Sequence, residues 1–285
     1  MEFKPFQETD LPALHRAFSE AFATYSVPFQ LSFDAFRKRI LNKLRIDSDL
    51  SYMAYRKDRC VGFVLHTKEE YEGKLTIYNG GTGVIPEFRG NQLTEQLYES
   101  LTPQIKESGA KIILLEVITT NAGAIKVYER LGFQYRQTFK CYKRKPSDEV
   151  VEEKRNQNLR IIRQMNWHPV QYRSCYEFEP SFIDSFPHLL HNRAHEICLE
   201  AYEGDSFGGF VIFQPHVGRI SQLAVTKESR GKGIATSLLS HAAELSLGKE
   251  LTFINIPEEQ EQMHEFLLAR GFENQVDQYE MELVI

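Results

Sequence analysis

The chain has 285 residues, of which 42% are hydrophobic and 26% charged, and its formal net charge is −5. This composition is typical of a folded globular protein with one or two domains, and it excludes a disordered chain. The net negative charge argues against a protein that binds nucleic acid over a broad surface, because such binding depends on clustered Lys and Arg.

The first ten residues, MEFKPFQETD, lack the basic and then apolar order of a secretory signal. No run approaches the roughly 18 apolar residues of a membrane-spanning helix. The four cysteines are widely spaced and form no CxxC pair, which in a chain of this length indicates free thiols in a reducing compartment. We therefore expect a cytoplasmic protein that binds neither nucleic acid nor membrane.

The predicted elements of the first half alternate between helix and strand. Residues 1–6 predict a strand, and a helix follows with Thr9 or Asp10 as its N-cap. The apolar face of that helix comprises Leu11, Leu14, Phe18 and Phe22. Beyond it we predict a helix at 33–44, strands at 51–57, 60–69 and 73–85, a helix to about residue 107, a strand at 111–118, a helix at 122–131 and a strand at 135–145.

An internal repeat then becomes visible. The stretch VIPEFRGNQLTEQLY (84–98) aligns without a gap on VTKESRGKGIATSLL (225–239), and YERLGF (128–133) matches LLARGF (267–272). A Gly-Phe-Val tripeptide precedes each, at 62–64 and 209–211. The matches predict that a unit of about 140 residues, a typical domain size, occurs twice. We place a first domain at 1–145, a polar linker at 146–158 and a second domain at 159–285, whose opening region (169–197) is less regular.

A loop rich in glycine, between a strand and a helix, marks the middle of each copy. The first turn of a helix leaves backbone N–H groups unpaired, and the helix dipole favours a negative charge there. Glycine lets a phosphate approach the main chain, and arginine adds a permanently charged donor. Neither copy contains the GxxxxGK[ST] loop of nucleotide hydrolases. The pattern therefore predicts an anion site, with a turn that merely needs glycine as the alternative.

Two motifs resemble a known family. VTKESRGKGIA resembles the pyrophosphate-binding loop of the GCN5-related N-acetyltransferases (GNAT), and NAGAIKVYERLGF (121–133) resembles the later signature of the same family. The resemblance covers essentially the whole chain. It implies an α/β fold of two tandem domains, each a central mixed, mostly antiparallel sheet flanked by helices. It also implies an acyltransferase that moves an acetyl group from acetyl-CoA to a primary amine of a small molecule or protein, by direct attack in a ternary complex.

The resemblance assigns roles to residues of both copies. In the first copy, Tyr128 is the acid that protonates the leaving thiolate. The cofactor-binding positions of the first copy are Thr82, Gly83, Val84, Phe88, Arg89, Gly90, Asn91, Gln92, Leu93, Thr94 and Asn121. Those of the second copy are Val225, Arg230, Gly231, Lys232, Gly233, Ile234 and Ala235. Glu116 is the candidate general base; a carboxylate at a strand edge, with water removing the proton, is the alternative.

Each copy departs from the family pattern. Gln92 replaces the second loop glycine of the first copy, whereas Gln260 and Leu267 stand where the second copy needs Asn and Tyr. We predict that the first copy performs the chemistry. Two alternatives stay open: a non-catalytic acyl-CoA-binding sensor, and a structural pair in which the second copy serves dimerisation. The protein is expected to be a monomer or a homodimer.

Three histidines, His188, His191 and His195, could share one helix face. The chain has no HExxH motif, and no cysteine is spaced to complete a metal site. The spacing therefore predicts exposed or capping histidines and no metal.

Overall fold

The computed structural model describes residues 1–23, 31–146 and 158–285. Its helices are α1 (Leu11–Phe22), α2 (Phe33–Lys38), α3 (Leu93–Glu107), α4 (Ala122–Arg130), α5 (Pro169–Tyr172), α6 (Phe186–His191), α7 (Ile234–Leu245) and α8 (Glu261–Leu268). Its strands are β1 (Glu2–Pro5), β2 (Tyr52–Arg56), β3 (Arg59–Tyr71), β4 (Lys74–Val84), β5 (Ile112–Ile118), β6 (Gln134–Arg144), β7 (Leu159–Gln164), β8 (Ile197–Glu203), β9 (Ser206–Gln214), β10 (Arg219–Val225), β11 (Leu251–Pro257) and β12 (Glu273–Val284).

The chain divides into two compact units. The first unit contains Met1–Arg136 together with Tyr279–Ile285, and the second contains Gln137–Gln278. Most of β6 therefore belongs to the second unit although its sequence closes the first copy, and the end of β12 belongs to the first unit. The predicted linker at 146–158 lies almost wholly outside the described residues, so the domain boundary placed there remains a prediction.

The sheet of the first unit runs β1-β2-β3-β4-β5. All neighbours are antiparallel except β4 and β5, which are parallel. Helices α1 and α3 both pack against β3 and β4. The predicted apolar face of α1 is confirmed for Leu11, Leu14 and Phe18, which are buried, and Phe18 stacks on Phe63. Burial of this face stabilises the helix more than intrinsic propensity does.

The start of α1 follows one of the two predicted caps. Asp10 is the N-cap residue, after a short 3-10 turn at Glu8–Asp10. Its carboxylate accepts a hydrogen bond from the backbone N–H of Gln7 at 3.0 Å, rather than from the first turn of α1. The helix therefore begins at Leu11, as the sequence predicts.

The sheet of the second unit runs β6-β11-β10-β9-β8-β7. Among these six strands β10 and β11 are parallel, the counterpart of β4 with β5, and the other neighbours are antiparallel. Helix α7 buries Ile234, Leu238 and Leu239 in the core cluster of this unit. The irregular opening of the second copy consists of α5, α6 and three 3-10 turns. Both units thus have the predicted mixed, mostly antiparallel sheet with flanking helices.

The allocation of the last seven residues yields a stability prediction. In the first unit, Met281 is buried, and the backbone N–H of Ile285 donates to the carbonyl of Lys111 at 3.0 Å. Deleting residues 279–285 should destabilise this unit by about 3 kcal/mol, because a buried side chain and strand hydrogen bonds are lost. Hydrogen exchange followed by mass spectrometry should show that the deletion accelerates exchange more in residues 1–136 than in residues 137–278.

The control for this prediction is Val284→Ala, because the Val284 side chain is 73% exposed and should contribute little. Equal acceleration of exchange in both units after the deletion, or none in either, would contradict the allocation.

Candidate functional site

The parallel strands β4 and β5 part before β4 ends. Their paired positions are Thr76 with Ile112, Ile77 with Ile113 and Tyr78 with Leu114, yet β4 continues to Val84. We call this parting the fork of the first unit, residues 79–84 of β4 facing residues 115–118 of β5. Backbone groups that leave a ladder need other partners, so a fork can pair with an extended ligand.

The predicted cofactor strand lies in this fork. Thr82, Gly83 and Val84 form the last three residues of β4. A Cβ atom at Gly83 would lie 2.5 Å from Phe63, so the close packing of β3 requires glycine there. The fork thus brings the predicted positions 82–84 to the edge that β5 leaves open.

The loop of the first copy leads from β4 into α3. Gly90 has φ +76°, and a Cβ atom placed on it would meet no atom within 4 Å. Gln92 adopts φ 55° and ψ 28°, directly before α3 begins at Leu93. A left-handed conformation costs a side-chain-bearing residue about 1 kcal/mol. The backbone space predicted for an anion is therefore present at Gly90.

The loop of the second copy has the same conformation. Gly231 has φ +73°, and Gly233, the N-cap of α7, has φ 77° and ψ 9°. Gly233 thus occupies the conformation that Gln92 holds in the first copy. The replacement of glycine by Gln92 leaves the loop geometry intact.

The loop arginines make protein contacts. Arg89 donates to the carbonyls of Val84 at 3.1 Å and Ala21 at 2.7 Å. Arg230 donates to the carbonyl of Val225 at 3.4 Å and forms an ion pair with Glu177. Each arginine therefore ties its loop to the end of the preceding strand, and a contact with phosphate remains a prediction.

Helix α4 holds the other two signature residues of the first copy. Asn121 is its N-cap and accepts a hydrogen bond from the backbone N–H of Ala124 at 3.2 Å. Tyr128 lies on the buried face of α4 and packs edge-on against Phe133, with ring centroids 5.6 Å apart. The structure thus gives both residues a packing or capping contact, and their cofactor roles remain predictions.

The candidate base Glu116 lies on β5 inside the fork, two residues beyond the last β4–β5 pair. Its half-buried carboxylate accepts a hydrogen bond from the hydroxyl of Tyr78. Tyr78 is itself the last paired residue of β4. The carboxylate therefore lies on the strand that borders the open edge, held by a phenol.

The fork contains a buried polar network that the sequence pattern did not predict. Asn79 donates to the hydroxyls of Thr82 at 2.7 Å and Tyr98 at 2.9 Å. The ring of His66 contacts the Tyr98 hydroxyl through Nε2 at 3.2 Å and the Leu50 carbonyl through Nδ1 at 2.7 Å. Burial lowers the pKa of His66 to about 4, although the Leu50 carbonyl acts in the opposite sense. We call His66, Tyr98, Asn79 and Thr82 the fork network.

A basic cleft of about 1650 Å³ lies beside the loop of the second unit. Its cationic lining residues are Lys143, Arg144, Lys145, Arg230, Lys232, Lys249 and Arg270, and its carboxylates are Glu244 and Glu273. Such an excess of positive charge in a net acidic chain attracts a polyanion. A smaller cavity of about 160 Å³ shares Val225, Arg230 and Phe266 with it and extends between β10 and β11.

The signature positions of the second copy differ chemically from those of the first. Leu267 is fully buried, and Gln260 is the N-cap of α8 without a capping hydrogen bond from its side chain. The second unit therefore has a loop and a cleft but no tyrosine at the position of Tyr128.

The histidine prediction is partly wrong. His191 and His195 are exposed as predicted, whereas His188 is buried beside the ring of Phe182. His188 lies on the inner face of the short helix α6, which the two exposed histidines do not share. Among the residues that the structure describes, no group of His, Cys, Asp and Glu could hold a metal ion.

The four cysteines are free, as the sequence predicts, and the structure buries all of them. Burial raises the pKa of Cys60 and of Cys198 to about 12. Both thiols therefore stay protonated near neutral pH and are poor nucleophiles. Within the described ranges, no helix combines the length and apolar character needed to cross a membrane.

Comparison with known proteins identifies the family of the chain. The model of the acetyltransferase (GNAT) family matches residues 11–133 and 161–272, so the chain belongs to this family and contains it twice. N-alpha-acetyltransferase 30 of Schizosaccharomyces pombe is 30% identical over 96 residues, which span 33% of this chain and 64% of that protein.

Two solved structures share the whole fold. A putative acetyltransferase from Pyrococcus horikoshii has a TM-score of 0.72 at 16% identity, over 100% of this chain and 89% of its own. A tandem GNAT protein from the clavulanic acid biosynthesis pathway has a TM-score of 0.71 at 12% identity, over 99% of this chain and 98% of its own. The tandem arrangement of two GNAT domains is therefore confirmed.

The buried His66 predicts a pH-dependent stability. Its pKa is about 4 when folded and 6.5 ordinarily, so between these values the unfolded state binds a proton that the folded state excludes. The free energy of unfolding should therefore decrease as the pH falls through this window, by up to about 3 kcal/mol from this residue. Urea unfolding of the wild type and of His66→Phe from about pH 7 to 4.5 measures the difference.

The variant His66→Phe should lack this component, so the wild type should lose stability relative to the variant on acidification. Parallel pH profiles for the two proteins would show that His66 does not titrate as its burial requires.

Proposed function

We propose that the protein is an acetyl-CoA-dependent N-acetyltransferase, and that its first copy transfers the acetyl group to a primary amine of a small molecule or protein. The observation that carries the proposal is the coincidence, in one unit, of an open fork, a glycine loop with free space and a tyrosine at the signature position. The family membership of both copies supports the reaction type.

The residues of the first unit fit the cofactor. The space above Gly90 lets the backbone N–H groups of residues 90–94 approach a diphosphate, and the start of α3 adds a favourable dipole. The predicted amides of Phe88 and Arg89 instead donate to the carbonyls of Ile85 and Pro86, at 3.0 Å and 3.2 Å. The edge of Thr82, Gly83 and Val84 that β5 leaves open offers backbone partners to the amide-bearing arm of coenzyme A. When bound, acetyl-CoA supplies an activated thioester.

The protein groups then serve the transfer. A main-chain N–H of the 82–84 segment stabilises the oxygen on which charge develops, because it is already fixed in position. Tyr128 holds a proton on its phenol oxygen and donates it to the departing sulfur. Glu116, held by Tyr78, accepts a proton from the attacking amine directly or through water. Direct attack in a ternary complex needs no other protein nucleophile.

The second copy, in this proposal, binds coenzyme A without transferring its acyl group. Its loop keeps both glycines and its cleft is strongly basic, which suits a diphosphate ligand. Leu267 supplies no proton at the position of Tyr128. We further propose a cytoplasmic protein that works as a monomer or a homodimer.

The function is tested by following thiol release from acetyl-CoA with a panel of amines, including peptide N-termini. We expect turnover that Gly90→Pro reduces at least about 100-fold, because proline cannot adopt the positive φ of this position. Gly231→Pro should leave turnover within about threefold while lowering the coenzyme A stoichiometry in calorimetry from two to one.

The reverse pattern would assign the chemistry to the second copy. Tight coenzyme A binding without turnover on any amine would favour the alternative, a non-catalytic acyl-CoA-binding protein.

The role of Tyr128 is tested by Tyr128→Phe, which removes one hydroxyl from a buried ring. We expect kcat to fall by about 10²–10⁴ while the dissociation constant of coenzyme A stays within about twofold. The matched control is Tyr135→Phe, since Tyr135 is 57% exposed and lies on β6, which is neither of the two fork strands. Weaker coenzyme A binding at unchanged kcat would make Tyr128 a packing residue.

A further inference from the structure

The fork network has a fixed hydrogen-bond direction at its His66 end. The Leu50 carbonyl can only accept, so His66 donates to it from Nδ1. A neutral imidazole has one N–H, and Nε2 must therefore accept, which requires the Tyr98 hydroxyl to donate to it. The Tyr98 oxygen then accepts from Asn79.

The direction is equally fixed at the Asn79 end. The backbone N–H of Gly81 donates to Asn79 Oδ1 at 3.0 Å, which settles the orientation of the amide. The amide nitrogen therefore donates its two hydrogens, one to Tyr98 and the other to Thr82. The Thr82 oxygen is an acceptor in this contact, and its own hydrogen finds no acceptor among the described residues.

The second unit serves as an internal control, because apolar residues occupy all four equivalent positions. The strand ladders fix the correspondence, since His66 pairs with Asn79 and Phe213 pairs with Ile220. Both ladders shift register directly beyond these pairs. The equivalents of His66, Asn79, Thr82 and Tyr98 are Phe213, Ile220, Leu223 and Leu239, all buried in one core cluster.

The fold alone does not explain the polar residues at these four positions of the first unit. The second unit shows that the strand ladder and the loop helix pack well around hydrocarbon at these positions. Burying polar groups costs desolvation energy, and a network of them contributes no more stability than well-packed apolar residues. The fold therefore does not require the polar chain that the first unit carries.

The position of the network indicates what it serves. Asn79 is the first residue of β4 beyond the last β4–β5 pair, and Thr82 lies three residues further along the open edge. Thr82 is half-buried, whereas the other three members are buried. The network thus runs from His66, on β3 against which α3 packs, to the hydroxyl of Thr82 on the fork strand.

We propose that the fork network holds Thr82 as a side-chain hydrogen-bond donor to a carbonyl oxygen on the amide-bearing arm of acyl-CoA, in the first unit alone. Asn79, Tyr98 and His66 are positioning residues that act through Thr82. The inference rests on the proposed function in that the first unit binds acyl-CoA. It adds a side-chain contact that the second unit, with Leu223, cannot make.

Calorimetric titration of the full chain with coenzyme A tests the donor. Thr82→Val keeps the shape and removes the hydroxyl, so the dissociation constant of the first-unit site should rise about tenfold. Thr82→Ser keeps the hydroxyl and should bind within about twofold of the wild type. Thr76→Val is the matched control, because Thr76 is buried on the same strand and donates to Lys74 away from the fork.

A double-mutant cycle tests whether Tyr98 acts through Thr82. Tyr98→Phe should weaken coenzyme A binding in the wild-type background and have no further effect in Thr82→Val, because the donor it positions is already absent. Nitrogen NMR of the ligand-free protein should show His66 as the Nδ1–H tautomer, with an Nε2 signal that moves when Tyr98→Phe removes its hydrogen bond.

Unchanged coenzyme A binding in Thr82→Val, while the wild type binds, overturns this inference and leaves the proposed function standing. Additive losses in the cycle also overturn it, since they make the network a structural element only. If the wild type binds no coenzyme A, both proposals fail together. Coenzyme A binding without turnover contradicts the proposed enzymatic activity and leaves the proposed Thr82 contact standing.

Discussion

The structure depends on one constraint, the parting of two parallel strands after a short common ladder. Once β4 leaves β5 at Tyr78, five of the six residues 79–84 keep partners on β3, and none of the six has a ladder partner on β5. Such an edge needs partners, and a ligand with amide groups can provide them. The loop, the helix that follows it and Glu116 all lie around this parting. The residue at which the β4–β5 ladder ends therefore sets the position of the candidate site.

Because the unit is repeated, its two copies can be compared within one chain. Both units contain a parallel pair that separates early and a loop in the left-handed conformation, so these features belong to the fold. The units differ in the side chains around the parting, where one has a polar network and the other a hydrocarbon core. Differences of this kind report on specialisation, because the backbone that surrounds them is held constant.

Sequence patterns predicted the features that are local in the chain. The RG loops and the start of α1 depend on a few neighbouring residues, and the sequence pattern predicted both. The fork network was not predictable, because His66, Asn79 and Tyr98 lie on three elements and each fits its own element as an ordinary residue. The burial of His188 was missed for a related reason, since a six-residue helix gives too short a period to assign its inner face.

Strand allocation was also beyond local patterns. The sequence pattern predicts β6 as a strand but says nothing about which strands it pairs with. Its partners are chosen by packing across large distances in the chain. Nothing in the sequence of residues 279–285 therefore predicts that they belong to the first unit.

That allocation has a consequence for biosynthesis. Residues 1–136 are translated before the second unit, yet residues 279–285, which complete their unit, are translated after it. While the second unit is being translated, the nascent first unit therefore exposes an unfinished region, which is the situation in which chains rely on chaperones. The second unit differs, because all of its residues lie in one continuous stretch and can assemble in the order of synthesis.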